Sequence, residues 1–504
     1  MSAQAIGRLA RGPHPVLFEL LYEPHFVSDR AQVLPHLLRI DAAHVVMLAR
    51  RGILAPEPAA RLLSLNRELA HRLASGEELF PPPPSHRGLY LLYEGEYISR
   101  LGGEVGGAAH VARSRNDINA TVTRMRLRPA LAEVLRQGML LASQLERLGV
   151  AHAQTLMSAF THLQPAQPAT FGHYLGGVLS ELLRTLDWIA GAYDTLNRCP
   201  MGAAAGVGTS FPIDTTIVAE LLGFESPLGN SLDAVGSRDY VVQVLSGLAL
   251  LGTLLTRMSA DLQTWASSAY GFLGWPDELV STSSIMPQKR NAFVLENIRG
   301  QAVKATGFLM NTLMGLKSTS FTNSVEVSSE ATSPVWPALE AARTALVLME
   351  LLMSNVIVQP EPMRRFLVGQ DTTMTALADH LVARHGLAFR TAHDVVGRLV
   401  NLKREPELTP QAARGLLEPL LATTLGREVS LDEAELAQVL EPEGCVRAAA
   451  YGGGPAPEAV RAHLATLGQA RERLQQRVQG WKARLEAADE ALAAASAAGV
   501  SSTA

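Results

Sequence analysis

The sequence predicts a mainly α-helical protein, and three observations carry that reading. Apolar and small residues recur at spacings of three and four over long stretches, which draws one face of a helix. Runs that alternate apolar and polar residues, as a half-buried strand requires, are scarce. Aromatic residues are only 5% of the chain, low for a sheet-rich protein. At 504 residues the chain exceeds one ordinary core, so two to four domains or one very large helical assembly is expected.

The elements follow in order. The opening stretch MSAQAIGRLARGPHPVLFEL lacks the continuous apolar core of a signal peptide. An N-terminal helical segment ends at the proline run Pro81–Pro84, which cannot be helical inside, and the chain continues into 88–112. From Leu131, the residues Val134, Leu135, Gly138, Met139, Ala142 and Leu145 fall on one helix face. Similar patterns run through 171–197, 241–267, 293–316, 334–357, 371–385 and 389–403. The stretch 230–233 opens a loop before the long central helix. Val241–Leu255 is apolar on all sides but spans only 15 residues, short of the ~20 that cross a bilayer. It contains Gln243, Ser246, Gly247 and Thr253, and Arg238, Asp239 and Arg257 flank it, so it reads as the buried centre of a bundle.

Pro360 and Pro362 mark an exit from that bundle. The stretch 404–455 looks like a small separate unit, in which Ser430 and Glu433 fit a capping box before Ala434–Leu440. Tyr451 to Pro455, with three glycines between, is a flexible turn. A last amphipathic helix runs from Pro457 to about Ala494, and the tail AGVSSTA is expected to fray. No internal repeat occurs.

Composition narrows the function. Hydrophobic residues at 47% and charged residues at 18% describe a globular chain. The 44 basic and 48 acidic side chains leave a net charge of −4, which recruits neither nucleic acid nor an anionic membrane. Two cysteines, Cys199 and Cys445, fit a reducing compartment, hence a cytoplasmic location, and their separation excludes a CxxC motif. His25, His36 and His44 lack the four-residue spacing of a helical ligand pair, so no metal is expected. No glycine-rich phosphate loop occurs, so no nucleotide cofactor is expected either.

Three distant segments share an unusual chemistry. The most informative is 281–300, STSSIMPQKRNAFVLENIRG. Ser281 to Ser284 are hydroxyl residues, Pro287 opposes a helix, and Lys289, Arg290 and Asn291 follow, so a mobile loop is expected before a helix resumes. Serine is a poor base until its alkoxide is stabilised, and Lys289 is the nearby cation. By spacing alone a polar surface loop at a helix start explains the same residues. The second segment, Arg113 to Asp117 (RSRND), packs two guanidinium groups, a hydroxyl and an amide into five positions and suits anion binding. A capped helix N-terminus accounts for it equally. The third, 160–168 (FTHLQPAQP), reads as an irregular stretch held by two prolines that presents Thr161, His162, Gln164 and Gln167.

Together these segments resemble the fumarase/aspartase superfamily and, within it, the argininosuccinate lyase family. SSIMPQKRN is similar to the superfamily signature, and RSRND and THLQPAQP to two further family segments. Residues 230–239, 389–397 and 451–453 are also similar to family segments, so the likeness runs from about residue 15 to 480. It implies an almost all-helical subunit of three domains, 1–112, 113–362 and 363–504. Central helices of four subunits would form a twenty-helix bundle, and each active site would draw on three subunits. The implied reaction is anti elimination from an N-substituted L-aspartate, releasing fumarate, with argininosuccinate as the default substrate. In this reading Ser283 is the base and His162 the second proton-transfer residue. Lys289 and Asn291 hold the carboxylate on which charge develops. Ser114, Arg115, Asn116, Thr161 and Arg238 bind substrate. Partners are a small dicarboxylate-containing substrate and further copies of the chain.

Some positions depart from the family. His110 is followed by Val and Ala where the family often has Thr and Gly. A usual Glu-Asp-Ile-His segment is replaced at 87–90 by Arg, Gly, Leu and Tyr, and Thr282 replaces a Gly. A Tyr-Asn pair and a later Gln align with Thr322, Asn323 and Val327. The succinate half of the site therefore looks intact and the amine half altered. This keeps two alternatives open, a different N-substituted aspartate or a non-catalytic structural homologue.

Overall fold

A computed structural model describes residues 12–81 and 88–498. The expectations for the extreme N-terminus, for Pro82 to Pro84, for Arg87 and for the tail beyond 498 lie outside the described residues.

The chain is built from helices, as its periodicity predicts, with three two-stranded sheets as the strands among the described residues. Near the N-terminus, α1 (Leu34–Arg50) and α2 (Pro56–Ala74) pack with α3 (Leu89–Leu101). Their core also takes in Ile118, Val122 and Met125 from the next helix. That helix, α4 (Arg115–Ala151), leads through a hairpin of β1 (Leu156–Thr161) and β2 (Gln164–Thr170) into α5 (Phe171–Leu196). Then come α6 (Asp239–Ala266), α7 (Phe293–Ala302), α8 (Lys304–Leu316) and α9 (Val335–Ser354). The pattern over 293–316 is thus two helices, broken at Val303. The stretch 230–233 belongs to a short helix, Ser231–Gly236, because the Asn230 side chain caps it by accepting from the Leu232 and Asp233 N–H groups.

Helices α4, α5, α6, α7 and α9 share one large core. Leu131, Leu135, Ala142 and Leu145 of α4 are fully buried against Leu175, Leu179, Leu186 and Ile189 of α5. Side chains fix the helix directions. Arg124, near the start of α4, donates to the Thr195 and Leu196 carbonyls at the end of α5, so the two run antiparallel. Its guanidinium also lies 3.9 Å above the Tyr240 ring at the start of α6. At the opposite end, Trp265 of α6 meets Phe160 of the hairpin and Tyr174 at the start of α5. The bundle therefore has two distinct ends. Helix α4 alone, 37 residues long, separates them by about 55 Å at 1.5 Å per residue.

One expectation for α6 needs correcting. It is apolar enough to resemble a membrane span, yet it is not buried all round. Val242, Ser246, Leu250, Thr253 and Arg257 form a stripe open to solvent or half-open, with Leu250 half-exposed. Trp188 on α5 and Met310 and Met314 on α8 are more than half exposed as well.

Beyond the bundle, α10 (Met374–His385), α11 (Phe389–Leu402), α12 (Pro410–Leu425) and α13 (Glu433–Leu440) enclose a separate small core. The N-cap of α13 is Asp432, whose carboxylate accepts from the Ala434 and Glu435 N–H groups, rather than Ser430. The last helix, α14 (Pro457–Ala497), leaves that unit. Its Val460, Leu464, Leu474 and Val478 pack into the central core, and Leu492 reaches the N-terminal one.

Candidate active site

The RSRND segment forms the first turn of α4. Ser114 is the N-cap. Its hydroxyl accepts from the Asn116 N–H, and Asp117 returns the interaction to the Ser114 N–H at 3.0 Å, completing a capping box. The positive end of the helix dipole and unpaired N–H groups thus face the same space as Arg115. Arg115 is exposed and makes no ion pair among the described residues. Arg113 is not part of an anion-binding set: it is buried and paired with buried Asp41, which the Tyr93 hydroxyl also contacts at 2.8 Å.

Asp117 does more than cap. It is fully buried, and its second oxygen accepts from the Gly202 and Ala204 N–H groups at 3.2 and 2.9 Å. Burial pushes its carboxyl up to about 6 against the pull of these donors. It remains ionised at neutral pH and ties the helix start to the 201–208 turn. That turn needs left-handed backbone at Gly202, Ala204, Gly206 and Gly208. Its Ala205 carbonyl accepts from Asn116 Nδ2 at 3.3 Å, and its Gly206 carbonyl accepts from the Ser231 hydroxyl at 3.0 Å.

Asn323 comes to the same place from afar. Its Nδ2 donates to Asn116 Oδ1 at 3.0 Å across 207 positions of sequence. Arg238 also lies at this end, buried at the start of α6, and donates to the Ser237 carbonyl. With Gln243, Phe321 and the buried Val327 it lines a cavity of about 410 Å³. Ser114, Arg115, Asn116, Arg238 and Asn323 thus cluster at one end of the bundle.

Thr161 and His162 lie at the other end. The 160–168 stretch belongs to an antiparallel hairpin with Thr161 paired to Gln164, and its irregularity is confined to a register shift between Ser158 and Phe160. Pro165 and Pro168 are tolerated because both strands of a two-stranded sheet are edges. His162 and Leu163 form the turn with φ of 54° and 61°, as a two-residue type I′ connection demands. Neither is the glycine or asparagine that this backbone favours, and such strain concentrates at functional sites. His162 is exposed at the tip.

The Ser283 loop is also at this far end. It is closed at its base by a two-way backbone bridge between Ser281 and Asn291, at 3.0 and 2.7 Å. Arg290 braces the base by donating to the Trp275 carbonyl and pairing with Asp277, and Trp275 donates to the carbonyl of Leu352 near the end of α9. Between these anchors Ser284 to Arg290 are exposed. Ser283 Oγ accepts from the N–H groups of Ile285 and Met286 at 3.3 and 3.1 Å. Two amide donors on one hydroxyl oxygen stabilise its alkoxide, the role expected of Lys289 alone. Lys289 Nζ has no hydrogen-bond partner among the described residues and stays available for an anion.

No hydrogen bond or ion pair among the described residues joins the three segments within one subunit. Reasoning from side chains missed Asp117, the 201–208 turn and the two amides on Ser283. The signal for the turn was present in Gly202, Gly206 and Gly208. Backbone amides leave none.

Comparison with known proteins identifies the family. A lyase family model matches residues 94–307, and an argininosuccinate lyase C-terminal model matches 371–447. Argininosuccinate lyase 1 of Shouchella clausii is 34% identical over 486 residues, covering 96% of this chain and 97% of that protein. Argininosuccinate lyase of Halorhodospira halophila is 38% identical over 434 residues, 86% of this chain and 90% of its own. Among solved structures, an EDDS lyase variant with bound fumarate superposes with a TM-score of 0.82 at 29% identity, covering 98% of each chain. The chain belongs to the argininosuccinate lyase family of the fumarase/aspartase superfamily and is a carbon–nitrogen lyase.

Proposed function

We propose that the chain cleaves argininosuccinate by anti elimination into arginine and fumarate, in a homotetramer whose sites draw on several subunits. The composite site is carried by a separation within the subunit, about 55 Å along the 37 residues of α4. The anion-binding start of α4 and the Ser283 loop occupy opposite ends of one bundle, so antiparallel packing of subunits is what brings them together. The exposed apolar residues Trp188, Leu250, Met310 and Met314 supply a surface for that packing. Superfamily enzymes of this kind act on dicarboxylates and are typically oligomeric.

In this site Ser283, its Oγ held by two amides, removes the proton from the carbon beside a carboxylate. Lys289 and Asn291 meet the charge that grows on that carboxylate, where losing one such donor costs about 3 kcal/mol. Ser114, Arg115 and Asn116 hold a carboxylate at the α4 start, with Thr161 and Arg238 binding nearby. His162 moves the second proton, toward the leaving nitrogen. Two free cysteines support a cytoplasmic location.

A second reading has one specific support. Asn323 lies on Asn116, which favours the alignment that puts Thr322 and Val327 where the family has Tyr and Gln, and Val327 faces the cavity beside Arg238. A different N-substituted aspartate is the alternative outcome of the test. Fumarate release, followed by absorbance, is measured on a panel of N-substituted aspartates. Turnover of argininosuccinate above all others supports the first reading; preference for another member replaces it; no release from any member overturns both.

A further inference from the structure

A second charged cluster stands behind the α4 start, outside the residues assigned so far. His110 lies within the turn that follows the short helix Gly103–Ala108. Its Nδ1 lies 2.8 Å from Glu94 Oε1 and 3.1 Å from the Tyr90 hydroxyl, and the Tyr90 ring meets the imidazole edge-on at 5.9 Å. Glu94 and Tyr90 sit one turn apart on α3, so a single helix face grips the ring. A carboxylate at 2.8 Å requires the proton on Nδ1. Nε2 is then the open nitrogen, with no partner among the described residues, on a side chain 42% exposed. The His110 bond is the largest influence holding the Glu94 carboxyl below its usual range, followed after burial by the charges of His110, Arg113 and Arg115. Tyr90 senses Arg113 and Arg115 too. His110, Glu94, Tyr90 and Arg115 therefore form one charged neighbourhood.

We propose that His110 is a further substrate-binding residue that takes up a second proton with the bound anion: its Nε2–H, oriented by Glu94 and Tyr90, then joins Arg115 and Ser114 in holding a substrate carboxylate. The inference rests on the elimination reading above and deepens it at the anion-binding end. Arg113 is committed to Asp41, so the α4 start has one guanidinium free where the motif carries two. A second cation there completes a two-point grip on a carboxylate. Glu94 is the positioning residue. It holds the Nδ1–H and the ring plane, as a carboxylate behind an imidazole does in other sites. Tyr90 supplies a second oxygen to the same nitrogen.

The experiment measures fumarate binding by calorimetry alongside steady-state kinetics for His110→Ala, His110→Gln and Glu94→Gln. Fumarate carries the carboxylates and needs no turnover, so its affinity reports on His110 even if no tested substrate reacts. Failure of the reaction assignment would instead show as a silent unmodified enzyme. His110→Ala is expected to weaken fumarate binding and raise KM about tenfold, the loss of one charge-assisted hydrogen bond, with kcat changed less than about threefold. His110→Gln keeps a neutral donor and recovers part of the loss. Glu94→Gln keeps the imidazole and shows an intermediate rise in KM. Added to His110→Ala, it does nothing more. Fumarate affinity and KM within about twofold of the unmodified protein in His110→Ala, or additive effects in the double variant, overturn the proposal. If the alanine variant loses its fold, the glutamine variants decide by the same readouts.

Discussion

Replacing Asp117 by alanine tests how the α4 start is held. The carboxylate is fully buried and accepts from four backbone N–H groups, those of Ser114, Ile118, Gly202 and Ala204. Losing the cap costs ~1 kcal/mol. Each loop donor loses a bond to a charged acceptor worth about 1.5–3 kcal/mol, discounted because Gly202 and Ala204 are half-open to water. A net loss of about 3 kcal/mol follows. Function should fall with it, because Ala205 of the same turn positions Asn116 and Gly206 positions Ser231. Denaturant midpoints at one fixed protein concentration give the stability change, since oligomer stability depends on concentration. KM for the lyase substrate gives the functional one. Asp117→Asn should lose about half as much, because an amide can accept from one pair of donors but presents N–H groups to the other. An alanine variant within about 0.5 kcal/mol of the parent and with unchanged KM would refute the reasoning.

Other outcomes follow from single residues. Ser283→Ala should abolish turnover, with kcat down at least about a thousandfold, while leaving the thermal midpoint in place because the loop is solvent-facing. Arg115→Met should raise KM about tenfold or more with no stability change, since the guanidinium has no ion-pair partner among the described residues. Acid should loosen the N-terminal unit. Burial holds His44 down to about 3 and His36 to about 4, below the ordinary 6.5, so the unfolded chain binds protons that the folded one refuses. Stability is then fully present above pH 6.5 and falls toward 4, by up to about 1.4 kcal/mol per pH unit per histidine. His44→Gln, measured by denaturation against pH, should flatten that slope; an unchanged slope would count against it.

Much of the fold was legible because helices advertise themselves locally. The 171–197, 241–267 and 389–403 patterns became Phe171–Leu196, Asp239–Ala266 and Phe389–Leu402, each with an apolar stripe buried as its spacing requires. The hairpin was not legible. Its strands are short, two prolines disguise them, and its turn uses His and Leu in the left-handed region rather than an Asn-Gly pair. The last helix was legible as a helix but not in its destination, because an amphipathic face does not say which core receives it. At the site, RSRND was readable as chemistry but not as a division of labour. Only burial separates Arg113, committed to Asp41, from exposed Arg115. Asn323 against Asn116 is a contact across 207 positions that no local pattern encodes.

The central claim is that the base on the Ser283 loop and the carboxylate grip at the start of α4 come from different subunits. Mixing two variants with different defects tests it directly. Ser283→Ala and Arg115→Met subunits are dissociated together, reassociated and assayed for fumarate release at argininosuccinate well below the KM of the unmodified enzyme, where the loss in Arg115→Met is fully expressed. If sites are shared, mixed oligomers contain some sites with an intact serine from one chain and an intact arginine from another, and activity returns well above either parent. If mixing restores nothing while the unmodified protein treated in the same way recovers, both groups belong to one subunit's site and the claim is wrong.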